Sequence, residues 1–207
     1  MNQPKAIQMA VSKQVIAEAG KPRVRDRIMQ TARDLFYRRG IRAVGVDTIA
    51  CEAGTNKMSF YRCFGSKDAL VAEYLRGQER EAWGWWDQTI AAHTGNARAQ
   101  LEALFDAQVN KTCKVDSRGC ALANAAVEIS DPEHPARAVV EDFKAEMRRR
   151  FRGLAREAGA RDADALGDSL MLLWEGSYLA RLTFQGEHSP AENAAKAARA
   201  LISAHVG

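Results

Sequence analysis

The sequence predicts an all-α protein, in which an N-terminal three-helix unit of the helix-turn-helix type precedes a larger helical domain. Three observations carry this reading. Apolar residues recur at helical spacing through most of the chain beyond residue 23. No stretch alternates apolar and polar residues as a half-buried strand would. Two short amphipathic segments flank Ala53-Gly54-Thr55-Asn56, the arrangement of a helix-turn-helix.

Residues 1–22 hold no sustained period and end in Gly20-Lys21-Pro22, so they read as a flexible basic arm. Val24, Ile28, Ala32, Leu35 and Phe36 then share one face of a first helix, with Arg25, Arg27, Arg33 and Arg38 off that face and Gly40 as its stop. A second helix runs from Val46 to Ala53, with Val46, Ile49, Ala50 and Ala53 inward. Gly54 after it is free to take a left-handed conformation. Asn56 caps a third helix reaching Cys63, and Phe60 and Phe64, four apart, are its core residues. Ser66 caps a fourth that begins Lys67-Asp68-Ala69-Leu70 and extends past Trp83 toward Ile90, weakened by Gly77 and Gly84. Further helices fall near 97–114, 120–129, 135–158, 163–184 and 190–205. Pro132 and Pro135 disfavour helix just before them, and Gly159 ends one run. Ser189-Pro190-Ala191-Glu192 reads as a capping box.

The chain has 207 residues, 46% of them apolar, enough to bury a core. It holds no apolar run of about 7 to 15 residues at its start, and none of about 18 that could span a bilayer, so it is expected to be cytoplasmic without a membrane partner. Cys51, Cys63, Cys113 and Cys120 form no disulfide framework. His93, His134, His188 and His205 form no close ligand set, and neither metal nor cofactor is expected. Residues 1–75 carry 13 Lys and Arg against 7 Asp and Glu, leaving +6 there and −2 in the rest. A basic N-terminal third suits a polyanion, because lysines and arginines that neutralise phosphates release condensed counterions.

Residues 25–70 carry a more specific signal: Arg25-Asp26-Arg27-Ile28-Met29-Gln30-Thr31-Ala32-Arg33-Asp34-Leu35-Phe36 through Gly40, then Thr48-Ile49-Ala50, Ala53-Gly54, Phe60-Tyr61-Arg62-Cys63-Phe64 and Ser66-Lys67-Asp68-Ala69-Leu70. In order and without gaps, this stretch resembles the DNA-binding domain of the TetR family of transcriptional regulators. The resemblance implies a DNA-binding domain at 23–68 and an effector-binding and dimerisation domain at 69–207. It also implies a recognition helix at 57–63, with Thr55, Lys57, Ser59, Tyr61 and Arg62 at or near DNA. Tyr61 and Lys67 match positions that hold the phosphate backbone, and residues from Gly45 to Thr48 open the second helix against another phosphate. Asn56 lies within the same surface. Three positions depart from the family pattern. Cys63 stands where an aromatic is common, Met58 where glycine is common, and Gly45, which offers no hydroxyl to phosphate, where Ser or Thr is common. A separate physical argument also places Lys67 toward DNA: a cation in a first helical turn is unfavourable for the helix dipole, yet a helix N-terminus beside a lysine suits phosphate.

The resemblance further implies a homodimer on a palindromic operator, a small-molecule effector, and repression. The last two helices offer Leu166, Leu170, Leu173, Ser177, Arg181, Ala194, Ala198, Leu201 and Ile202 as a dimer face, the other reading being stripes that pack only within the chain. Trp83, Trp86, Phe105, Phe143, Met147 and Trp174 are candidates to line an effector pocket, with Asn124, Glu128 and Tyr178 orienting the ligand, although for each one alone ordinary core packing is the more common role. The alternative from another class is a small helical enzyme or thiol redox protein using Cys113 or Cys120. No motif for catalysis supports it, and the cluster Arg148, Arg149, Arg150 and Arg152 reads as a solvated helix face.

Overall fold

The apolar face read for the first helix is the face that the chain buries. In the computed structural model, which describes residues 22–112, 118–184 and 189–207, α1 (Val24–Arg39) buries Ile28, Ala32, Leu35 and Phe36. Residues 1–21 of the expected arm, together with Cys113 and His188, lie outside the described residues. Gly40 ends α1 at φ +88°, where a side chain would be strained, and its N–H still reaches Phe36 O at 3.0 Å. α2 (Val46–Glu52) and α3 (Lys57–Phe64) follow, joined by a turn in which Gly54 takes φ +62° and the Thr55 N–H bonds Ala50 O at 2.9 Å. Arg27 of α1 donates to Ala53 O at 3.1 Å and so ties that turn to α1. Asn56 Oδ1 accepts the Ser59 N–H at 2.9 Å and Ser66 Oγ the Ala69 N–H at 3.0 Å. Such caps contribute about 1 kcal/mol each.

α4 (Lys67–Ala91) runs unbroken through Gly77 and Gly84. Each glycine costs about 1 kcal/mol against alanine, which the burial of Leu70, Val71, Ala72, Tyr74, Leu75 and Trp86 along the helix offsets. Its first half packs on α1 and α3 and its remainder on the helices that follow, so one rigid rod belongs to both parts of the molecule. Those helices are α5 (Ala97–Thr112), α6 (Ala121–Glu128), α7 (Pro135–Glu157), α8 (Ala163–Thr183) and α9 (Ala194–His205). No strand occurs among the described residues. The last expected helix differs at its start. Pro190–Asn193 is a 3-10 turn whose Glu192 N–H is taken by Ser189 O at 3.0 Å. The Ser189 hydroxyl therefore accepts from Ala191 instead, and the expected capping box does not form.

The centre of the larger layer is a cluster of rings. Trp86, Phe105, Phe151 and Trp174 meet with centroids 4.9 to 6.1 Å apart, contacts worth about 0.5–1.5 kcal/mol each beyond area burial. α7 and α8 cross beside it at Gly167, where a Cβ would stand 2.7 Å from Arg152 Cα and 2.8 Å from Arg152 N. The arginines of α7 are engaged: Arg148 and Arg152 both grip Asp168 at 2.6 to 2.8 Å, and Arg149 and Arg150 hold Glu146. The hydrogen bonds from Arg148 and Arg152 hold the Asp168 carboxyl well below its ordinary range. A depressed carboxyl lends its stability above its unfolded pKa, about 3.9, and loses it as pH falls through the folded value, so the contribution of this carboxyl is lost only in acid below the ordinary carboxylate range.

Gly167→Ala is expected to destabilise the fold by about 1–3 kcal/mol, because backbone rather than a flexible side-chain tip blocks the new methyl. Thermal unfolding should show this as a drop of about 2–4 °C per kcal/mol; an unchanged midpoint would mean that the helices do not cross this closely.

Candidate nucleic-acid interface

α3 has one buried and one open face. Phe60 is fully buried and Phe64 nearly so, with ring centroids 5.9 Å apart. The Arg25 guanidinium covers Phe64 at 4.7 Å while pairing with Glu73 of α4 at 2.5 Å, which locks α3 between α1 and α4. The opposite face presents Lys57, Met58, Tyr61 and Arg62, all exposed. Met58 is 79% exposed, and Tyr61, edge-on to Phe60 at 5.4 Å, is 43% exposed. Lys57 Nζ lies 3.1 Å from Asp47 of α2, an exposed pair that a phosphate can outcompete. Thr48, Thr55 and Ser59 are half-buried beside this face. Asn56 is exposed but uses its side-chain oxygen as the cap of α3.

Lys67 is placed differently from the dipole argument. Its ammonium is half-buried and donates to Ile41 O at 2.7 Å, joining the start of α4 to the turn after α1. Burial pushes its pKa down, against the pull of Asp68 and Glu128. The helix-dipole penalty is thus relieved inside the protein by a carbonyl. One of its three donors is committed in this way.

That turn is gripped from the other side by α6 and its flank. Glu128 Oε2 accepts the Arg42 N–H at 2.9 Å, and a Cβ on Gly40 would stand 3.1 Å from the same carboxylate. Arg118 donates to the carbonyls of Tyr37, at 3.2 Å, and Arg38, and the Tyr37 hydroxyl accepts the Arg118 N–H at 2.8 Å. Asn124 donates to Arg118 O at 2.8 Å. His134 caps α7 through Nδ1, which accepts the Ala136 N–H at 3.1 Å, and its Nε2 lies 3.3 Å from Asp68 of α4. The segment 118–134 therefore holds the helix-turn-helix unit at the end of α1 and the start of α4. No local pattern in the sequence marks Arg118 or His134 for this task.

The aromatic set named for an effector pocket divides. Trp86, Phe105, Phe143, Met147 and Trp174 are buried against other core residues, with Trp83 tilted against Phe143 at 4.8 Å and covered by Arg150 at 4.0 Å. Tyr178 lies edge-on to Trp174 and hydrogen-bonds Gln108, and burial pushes its phenol up. Asn124 and Glu128 face α1 instead. There, with Phe36, Tyr37, Ile41, Tyr74 and Ala121, they line a cleft with room for about one water molecule.

The expected dimer face requires a correction. Leu166, Leu170, Ser177, Ala194, Ala198 and Ile202 are buried within the chain, and Leu173, Arg181 and Leu201 half-buried. Leu166, Leu170, Ala194, Ala198 and Ile202 belong to the core cluster, with Leu173 and Leu201 packed against it, so a second chain cannot cover the buried ones without unfolding the first. The open side of α8 carries Leu172 and Leu179, 74% and 65% exposed, with Gly176 between them and Phe184 just beyond the helix. Cys120 is a half-buried residue at the start of α6, and no group of three potential ligands for a metal occurs among the described residues.

These features define a helix-turn-helix protein whose reading head rides on a helical second domain. The family described as "Bacterial regulatory proteins, tetR family" matches residues 28–74. The HTH-type transcriptional repressor KstR2 of Rhodococcus jostii (strain RHA1) is 38% identical over 86 residues, 42% of this chain and 42% of its own length. The match therefore spans less than half of that curated relative. Solved structures extend the likeness further. The TetR-family regulator SCO4454 of Streptomyces coelicolor superposes with a TM-score of 0.77 at 28% identity, over 87% of this chain and 93% of its own. A tetR-type regulator of Streptomyces avermitilis gives 0.72 at 28% identity, over 86% and 98%. The helix-turn-helix unit thus matches the tetR family model, and the fold of the described chain is that of solved TetR-family regulators.

Glu128→Ala is expected to free the Arg42 amide: its hydrogen exchange should quicken roughly fivefold, the equivalent of about 1 kcal/mol, while amides of the α7 and α8 core keep their rates. No change at Arg42 would mean that α6 does not hold the turn.

Proposed function

We propose that the chain is a sequence-specific DNA-binding transcriptional repressor, acting in the cytoplasm as a homodimer on a palindromic operator and released by a small-molecule effector. The observation that carries the DNA reading is the two-faced α3, locked by Phe60 and Phe64 and open along Lys57, Tyr61 and Arg62. A short rigid helix so presented fits a major groove about 12 Å wide. Lys57, Ser59, Tyr61 and Arg62 supply hydrogen bonds to phosphates and base edges, and Thr48 and Thr55 supply hydroxyls beside them. Asn56 acts through its cap, and Lys67 sets the height of the α1–α2 turn while keeping two donors for phosphate. The match to the tetR family model and the likeness to the repressor named above support repression. No helix among the described residues is long and apolar enough to cross a membrane.

One helix-turn-helix reads few base pairs, so two copies address half-sites about one helical turn apart. The stripe Leu172, Gly176 and Leu179 on α8 is the face a second copy covers, because exposed leucines at helical spacing around a glycine permit close helix contact. The effector acts by population shift, favouring a conformation in which α6 no longer holds α1 and the two α3 helices no longer match their half-sites. An apolar or aromatic ligand that parts the rings around Trp83, Phe143 and Met147 moves α7, and through His134 and α6 the reading head.

Selection from random duplex DNA at near-physiological salt is expected to enrich an inverted repeat, with binding weakened at least tenfold in Tyr61→Ala and Arg62→Ala; a folded protein that enriches nothing contradicts the reading. Leu179→Glu is expected to yield a folded monomer by sedimentation, with operator affinity reduced at least as far. A dimer persisting in that variant places the subunit contact elsewhere.

A further inference from the structure

Six large apolar side chains are exposed among the described residues. Leu172, Leu179 and Phe184 belong to the open side of α8 and its end, and Val127 stands alone on α6. The remaining two, Met58 and Tyr61, are three apart on α3 and so adjacent on its outer face. Tyr61 has a hydroxyl that suits a wet phosphate. Met58 has nothing polar to offer, yet it is the more exposed of the two, in the first turn of the helix, with Lys57 and Arg62 beside it.

Resting on the DNA reading above, we propose that Met58 is a specificity-determining residue that packs its thioether against the C5 methyl of a thymine in each half-site. Three arguments converge. In a helix-turn-helix the N-terminal residues of the recognition helix meet base edges, and Met58 is the second residue of α3. The thymine methyl is the apolar group that the major groove displays, and the cations flanking Met58 bring a polyanion to it rather than an apolar protein surface. Methionine, unbranched and polarisable, reaches past its own helix and adapts to a contact whose outline varies with DNA geometry. A residue without a side chain at this position could not discriminate thymine from cytosine by contact.

The test uses the full chain and the duplex it selects, with each thymine in turn replaced by deoxyuridine in both half-sites, which removes only the methyl. At one or two positions the wild-type protein should lose roughly fourfold in affinity per half-site, the equivalent of one buried methylene. Met58→Ala should lose a similar amount on the unmodified duplex and become indifferent to deoxyuridine at those same positions, while its sensitivity elsewhere stays that of the wild type. An identical deoxyuridine profile in wild type and Met58→Ala overturns the contact and leaves DNA recognition standing. Failure of the wild type to select any duplex overturns both. The side chain is so exposed that its truncation does not threaten the fold, and an unchanged circular dichroism melt verifies this.

Discussion

The reading head of this protein is aimed by what holds one turn, the stretch Gly40-Ile41-Arg42 between α1 and α2. Lys67 bonds its carbonyl from α4, Glu128 accepts its amide from α6, and Arg118 holds the last carbonyls of α1. Gly40 is required twice, for its φ of +88° and because any side chain would press on the Glu128 carboxylate. Among the described residues, these hydrogen bonds from the far side come from one short span, 118–134. The orientation of α3 therefore depends on a segment that belongs to the other domain, and that dependence is what a regulated DNA-binding protein needs.

The energies involved suit the proposed switch. Individual hydrogen bonds of this kind are worth about 0.5–1.5 kcal/mol net, so the few that join α6 to α1 sum to the same order as the roughly 5.5 kcal/mol that carries a two-state equilibrium from 1:99 to 99:1. By contrast, the packed rings of Trp86, Phe105, Phe151 and Trp174 and the close crossing at Gly167 make the α7–α8 layer stiff. α4 connects the two regimes, rooted in the stiff layer at Trp86 and bonded to the turn at Lys67. In the proposed switch, small displacements at α6 or at the N-terminus of α7 would reach the turn through Glu128, Arg118 and His134.

Local signals in the sequence were sufficient wherever the physics is local. Asn56 and Ser66 cap their helices because an oxygen one turn from a free amide is a matter of three residues, and Phe60 and Phe64 are buried because their spacing puts them on one face. Lys67 shows the limit: the dipole of its own helix pointed toward phosphate, whereas the partner it finds is a carbonyl 26 residues earlier. α8 shows another. It is apolar around most of its circumference, so the stripe through Leu166 and Leu170 and the stripe through Leu172 and Leu179 are equally visible in sequence, and only packing decides which is core. Asn124 and Glu128 were legible as polar residues on an apolar helix, but their direction, toward α1 rather than the ring cluster, is a property of the assembled fold.

The central claim is that α2 and α3 form the surface that meets DNA, while the arginine row of α7 does not. Hydrogen exchange of the full chain, free and saturated with its selected duplex, tests this most directly. The account predicts new protection concentrated within residues 45–66, with the amides around Arg148, Arg149 and Arg152 unchanged. Protection centred on that α7 row, with residues 45–66 exchanging as in the free protein, would contradict it.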